Sequence, residues 1–139
     1  MAKAENCVIC CIDFRFQEKT YNWLSQKHML GNTDVISIAG TIRDLVLPIA
    51  ENDREALIKE IDISINLHNP NNIFVLDHQD CGGYAQDDTI PTGLTFKQDI
   101  EQHKKFAVEG KKILQQRYPD KNIEFYYEPL NGEIIKLDL

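Results

Sequence analysis

Long hydrophobic runs are missing from this sequence: no apolar stretch approaches the length needed to span a bilayer. The first residues, Met1–Asn6, are short and polar, with no apolar signal core, so the expected location is the cytoplasm. Positive charge is also scarce. Fifteen Lys and Arg face 22 Asp and Glu, for a net charge of −7, which argues against nucleic acid as a partner. There is no internal repeat, low-complexity tract or linker. Cysteine is limited to Cys7, Cys10, Cys11 and Cys81, and three of them crowd into five residues. That spacing makes a poor disulfide framework and is better suited to thiols or metal ligands in a reducing compartment.

What is present is ordinary for one globular domain: 139 residues, 42% apolar and 27% charged. Short apolar runs alternate with amphipathic stretches. The pattern predicts strands over 7–12, 34–38, 72–77 and 123–127, with helices over 17–30, about 53–67 and 96–118. The middle helix is in conflict with a strand, because Ile61, Ile63, Ile65 and Leu67 alternate. Its length, a capping pair at Asn52 and Glu55, and the Asn69-Pro70 stop favour the helix. Thr95 and Gln98 form a second capping pair, and Asn131-Gly132 predicts a hairpin turn into 134–137. The implied fold is α/β: a single domain with a central, mostly parallel sheet of about four strands flanked by helices. A C-terminal antiparallel edge strand completes it.

In such sheets ligands sit beyond the carboxyl ends of the strands. The two most polar strand ends are Cys11-Ile12-Asp13-Phe14-Arg15 and His78-Gln79-Asp80-Cys81. If the first stays extended, Cys11, Asp13 and Arg15 face one space. Gly82-Gly83 allows close backbone approach after the second. Cys11, His78 and Cys81 together form a Cys₂His set of the kind zinc accepts, leaving a fourth position for water or a carboxylate. Taken alone, Asp13 and Arg15 also fit a surface ion pair. Cys7 and Cys10 read as core thiols, although Cys-x-x-Cys also permits a redox role. His28, His68 and His103 read as solvated or packing histidines.

Cys11-x-Asp13-x-Arg15 followed by His78-x-x-Cys81-Gly82-Gly83 resembles the β-class carbonic anhydrases, from about Cys7 to the C-terminus. The resemblance implies one Zn²⁺ per chain on Cys11, His78 and Cys81. Asp13 would be either a fourth ligand in a closed state or the partner of a zinc-bound water. Asp13 and Arg15 would form the catalytic dyad, and Phe14, Ala39, Gly40, Gly82 and Gly83 the substrate pocket. The activity implied is reversible hydration of carbon dioxide to bicarbonate by a metal-bound hydroxide, in a homodimer or higher homo-oligomer. Alternatives are a hydrolase of carbonyl sulfide or carbon disulfide, or a non-catalytic zinc or bicarbonate module with a closed site. The departures expected from the family pattern are the lack of an N-terminal helical arm, Ser37-Ile38 in place of Arg-Asn, and a bulky Phe14.

Overall fold

The computed structural model describes residues 2–139. Four parallel strands and one antiparallel edge strand form a single sheet in the order β2-β1-β3-β4-β5. The strands are β1 (Asn6–Cys10), β2 (Thr33–Ser37), β3 (Asn72–His78), β4 (Asn122–Glu128) and β5 (Ile135–Lys136). The helices are α1 (Gln17–Gln26), α2 (Arg43–Val46), α3 (Glu51–His68) and α4 (Phe96–Arg117). This is the expected α/β domain. β1 and β3 lie inside the sheet with helices over both faces, which is why they read as unbroken apolar runs rather than alternating ones.

Strand alternation divides the core. Cys7, Ile9, Ile73, Val75, Ile123, Phe125 and Tyr127 pack with Leu45, Leu57, Ile61, Ala107 and Leu114 from α2, α3 and α4. Val8, Cys10, Phe74, Leu76 and Tyr126 pack on the other face with Trp23, Leu24 and Met29 from α1 and its exit. Each fully buried Leu or Ile contributes roughly 2 kcal/mol. Cys7 and Cys10 therefore face opposite sides of the sheet, both as buried thiols.

α3 is a helix, as its length and stop predict. Leu57 and Ile61 are buried, while Ile63 and Leu67, which would share a strand face with Ile61, are exposed. Its start differs from the expectation. The Ala50 backbone N–H donates to Asp53, so Asn52 and Glu55 are not the capping pair and the helix begins at Glu51. At the other end Asn69 adopts a left-handed cap at φ 44°. The Thr95–Gln98 capping box opens α4 as expected. α1 is shorter than expected, ending at Gln26. His28 then turns at φ 57° and Gly31 at φ 81°, so His28 lies outside the helix.

Candidate metal centre

β1 stops at Cys10, so the extended run through Arg15 that alternation of Cys11, Asp13 and Arg15 would need does not form. The chain turns instead because Asp13 has a local alternative to the ladder: its carboxylate accepts the Arg15 backbone N–H at 3.0 Å and caps a 3₁₀ turn over Phe14–Phe16. The same turn doubles Arg15 back onto Asp13. Nε lies 3.1 and 3.2 Å from the two carboxylate oxygens, and Nη2 donates to Oδ2 at 2.7 Å. Arg15 therefore holds the Asp13 carboxyl down to about 2, against a smaller opposing effect of burial.

Arg15 also reaches the second strand end. It donates to the Asp80 carboxylate at 3.1 Å and to the Asp80 carbonyl at 2.9 Å. Asp80 sits at φ 56°, a left-handed conformation that tightens the turn between His78 and Cys81. The two motif segments, 65 residues apart in sequence, are thus tied by one guanidinium. Asp80 lay inside the His-x-x-Cys spacing, but spacing carries no sign of this long-range partner.

Cys11, His78 and Cys81 each bring a donor atom into one space, all within 4.8 Å of one another. The two sulfurs are 3.9 Å apart. Two sulfurs at about 2.3 Å from a tetrahedral zinc would be about 3.8 Å apart. His78 is 1% exposed, stacked on Phe16 at 4.2 Å between ring centroids. Its Nδ1 lies 2.8 Å from the Gln79 carbonyl. A carbonyl only accepts, so Nδ1 carries a proton, and in the neutral imidazole Nε2 keeps its lone pair. That Nε2 is buried and has no hydrogen-bond partner. A buried acceptor beside two thiols, with nothing bonded to it, fits a metal cation. Without metal, the thiols share a proton: the Cys81 hydrogen bond pulls Cys11 down, and the same contact pushes Cys81 up. Asp13 Oδ2 lies 3.8 Å from His78 Nε2, beside the cluster rather than in it.

Two loops hold the cluster from behind. Gly40, at φ 79°, packs backbone to backbone on Gly83; a Cβ on Gly83 would lie 2.4 Å from the Gly40 nitrogen. Gly40 and Gly83 are therefore buried against each other, and Ala39 adjoins that contact. Gly82 is exposed, with open space where a Cβ would stand. Phe14 is 83% exposed. It lines a cavity of about 300 Å³ that also takes in Cys11, Asp13, Tyr21, Val35 and Ser37. Glu128 is a residue that sequence reasoning missed. It is 1% exposed at the end of β4, in register with His78, and accepts the Thr20 hydroxyl at 3.0 Å. Burial pushes its carboxyl up to about 7. His68 pairs with Asp34 at 2.8 Å at the end of α3, and His103 is buried in α4, so neither joins the cluster.

A family profile described as "Putative carbonic anhydrase" matches residues 1–134. An uncharacterized protein of Rickettsia bellii (strain RML369-C) is 26% identical over 132 residues, covering 95% of this chain and 80% of the relative. One of two tetrameric beta-carbonic anhydrases from Sordaria macrospora superposes with a TM-score of 0.67 at 16% identity. The match covers 100% of this chain and 83% of the other. Beta-carbonic anhydrase isoform I from Trichomonas vaginalis gives a TM-score of 0.62 at 14% identity, with 97% and 83% covered. The fold is that of the beta-carbonic anhydrases. No helix among the described residues is long and apolar enough to cross a membrane.

Proposed function

This chain belongs to the carbonic anhydrase family matched over residues 1–134, and from that premise we propose that it is a zinc enzyme that reversibly hydrates carbon dioxide to bicarbonate. The observation that carries the reading is the convergence of Cys11, His78 and Cys81, with His78 Nε2 buried and unpartnered. One zinc per chain, held by these three residues, would supply the Lewis acidity that makes water nucleophilic near neutral pH.

The remaining work falls to the chain's own residues. The Gln79 carbonyl fixes the His78 tautomer and aims Nε2 at the two thiols. Asp13, kept ionised by Arg15, acts as acceptor for the attacking water and orients its remaining hydrogen. Arg15 also holds Asp13 away from the ligand position, since its backbone N–H, Nε and Nη2 all occupy that carboxylate. This engagement supports a catalytic site over a closed, non-catalytic one. Asp80 completes the hold by anchoring the far side of the guanidinium.

The reading includes a homo-oligomer in the cytoplasm. Ile12 is 65% exposed and Phe14 83%, and with Val35 on the open edge of the sheet they present apolar surface beside Cys11 that a second copy would cover. The Sordaria macrospora relative is tetrameric.

Stopped-flow hydration of carbon dioxide by the zinc-loaded chain tests the function. The expected result is turnover above buffer that falls about 100-fold in Asp13→Ala and Arg15→Ala. A folded, zinc-loaded protein no faster than buffer from neutral to alkaline pH would overturn it. Faster hydrolysis of carbonyl sulfide would move the substrate assignment.

A further inference from the structure

Asp77 precedes His78 on β3, and strand alternation sends the two side chains to opposite faces. His78 stacks on Phe16 toward α1, while Asp77 enters the side packed by α2 and α4. Its carboxylate is 1% exposed and draws on three segments. The Thr41 hydroxyl donates to Oδ1. The Tyr84 hydroxyl donates to Oδ2 at 3.3 Å. His103 Nδ1, from α4, lies 3.4 Å from Oδ2. On its other side His103 Nε2 lies 3.5 Å from Asp99, which accepts the Tyr127 hydroxyl at 2.6 Å.

These segments are the ones that carry the metal centre. Thr41 closes the loop that runs from beside Cys11: its backbone N–H donates to the Ile38 carbonyl at 3.1 Å, and the Ile38 N–H donates to the Cys10 carbonyl at 2.9 Å. Tyr84 follows Gly83, in the turn that begins at Cys81; its own backbone N–H donates to the Cys81 carbonyl at 3.2 Å. Gly40 and Gly83 press on each other. A single buried carboxylate is therefore bonded to the loop behind Cys11 and to the turn after Cys81, while its own backbone leads directly into His78.

Two costs make this arrangement informative. Burying a carboxylate without partners is expensive, so its retention in the core points to the donors around it. Thr41 is a β-branched residue at φ 46°, a conformation that persists only where the surroundings over-determine it. Its side chain is held there by Asp77. Asp77 offers no atom to the Cys11, His78 and Cys81 cluster.

We propose that Asp77 is a positioning residue for the metal centre: it clamps the Thr41 loop and the Tyr84 turn so that Cys81 meets Cys11 and His78 at zinc-binding separation. The proposal rests on the zinc reading above.

The test measures zinc affinity of the full chain by competition with a chromophoric chelator, together with the visible spectrum of the cobalt-substituted protein. Thr41→Val and Tyr84→Phe each remove one hydroxyl donor from Asp77 and little volume. Each is expected to weaken zinc binding about 10-fold and to shift the cobalt bands. Asp77→Asn is expected to lose more; if it does not fold, the other two variants decide. Tyr127→Phe removes a buried hydroxyl at the Asp99 end of the same polar chain, and is expected to leave affinity and spectrum unchanged. Wild-type affinity and spectrum in Thr41→Val and Tyr84→Phe would overturn the clamp, as would an equal loss in Tyr127→Phe. A wild-type chain that takes up no metal would instead overturn the zinc reading, and the clamp with it.

Discussion

Gly83→Ala should damage the metal centre out of proportion to the one methyl group added. A Cβ at this position would stand 2.4 Å from the Gly40 nitrogen, 2.6 Å from its Cα and 2.8 Å from the Ala39 carbonyl carbon. All three are backbone atoms, so no rotamer change relieves the clash. The loops must separate by about 1 Å to restore ordinary contact near 3.4 Å, and such overpacking costs about 1–3 kcal/mol. The same displacement moves Cys81 relative to Cys11, whose sulfurs now sit 3.9 Å apart. Metal sites tolerate errors of about 0.2 Å in ligand distance, so much of the strain should appear as lost zinc affinity. At about 1.4 kcal/mol per factor of ten, the expected loss is about 10- to 100-fold. Gly82→Ala is the control, since its Cβ meets nothing within 4 Å. Denaturant unfolding of the metal-free proteins, paired with chelator competition, separates the two effects. Gly83→Ala binding zinc as tightly as Gly82→Ala would refute the claim that this backbone contact sets the spacing.

Arg15→Lys should not rescue Arg15→Ala: one ammonium cannot hold both oxygens of Asp13 while bonding Asp80, and hydration rates should stay about 100-fold down. Gly110→Ala should destabilise the fold by about 1 kcal/mol, because its Cβ would lie 2.5 Å from Ile42 Cγ1 and that overlap outweighs the gain in helix propensity. Chemical denaturation reads it directly. Asp62→Asn should cost about 1 kcal/mol at pH 7. Arg117 first, then Tyr118, hold Asp62 below the ordinary carboxylate range against burial. That stabilisation is present above the unfolded value and disappears as pH falls through the lower folded one. Thermal melts of wild type and variant should therefore differ at pH 7 and converge in strong acid.

The sequence carried most of the fold because its elements are locally consistent. β3 is an unbroken Ile73–Leu76 run, and α4 has both its cap and its period. In α3 two periodicities competed through Ile61, Ile63, Ile65 and Leu67, and length and the Asn69-Pro70 stop separated them correctly. The motif spacing pointed to Cys11, His78 and Cys81 as one cluster, since both segments leave adjacent parallel strands at the same end of the sheet. It did not reveal that Asp13 breaks the strand and folds Arg15 back, because a side-chain cap competes with the ladder at one residue. Asp77, Thr41 and His103 stayed hidden for a different reason. Their relation exists only between segments dozens of residues apart, and each alone looks like a strand aspartate, a loop threonine and a packing histidine.

The proposed centre is a three-ligand zinc site with Asp13 held off the metal by Arg15. A crystal structure of the zinc-loaded protein at alkaline pH, with anomalous data at the zinc edge, tests it most directly. The expected result is one zinc on Cys11, His78 and Cys81, with Asp13 still paired to Arg15. A site without zinc, or Asp13 released from Arg15 and bound to the ion, would contradict it.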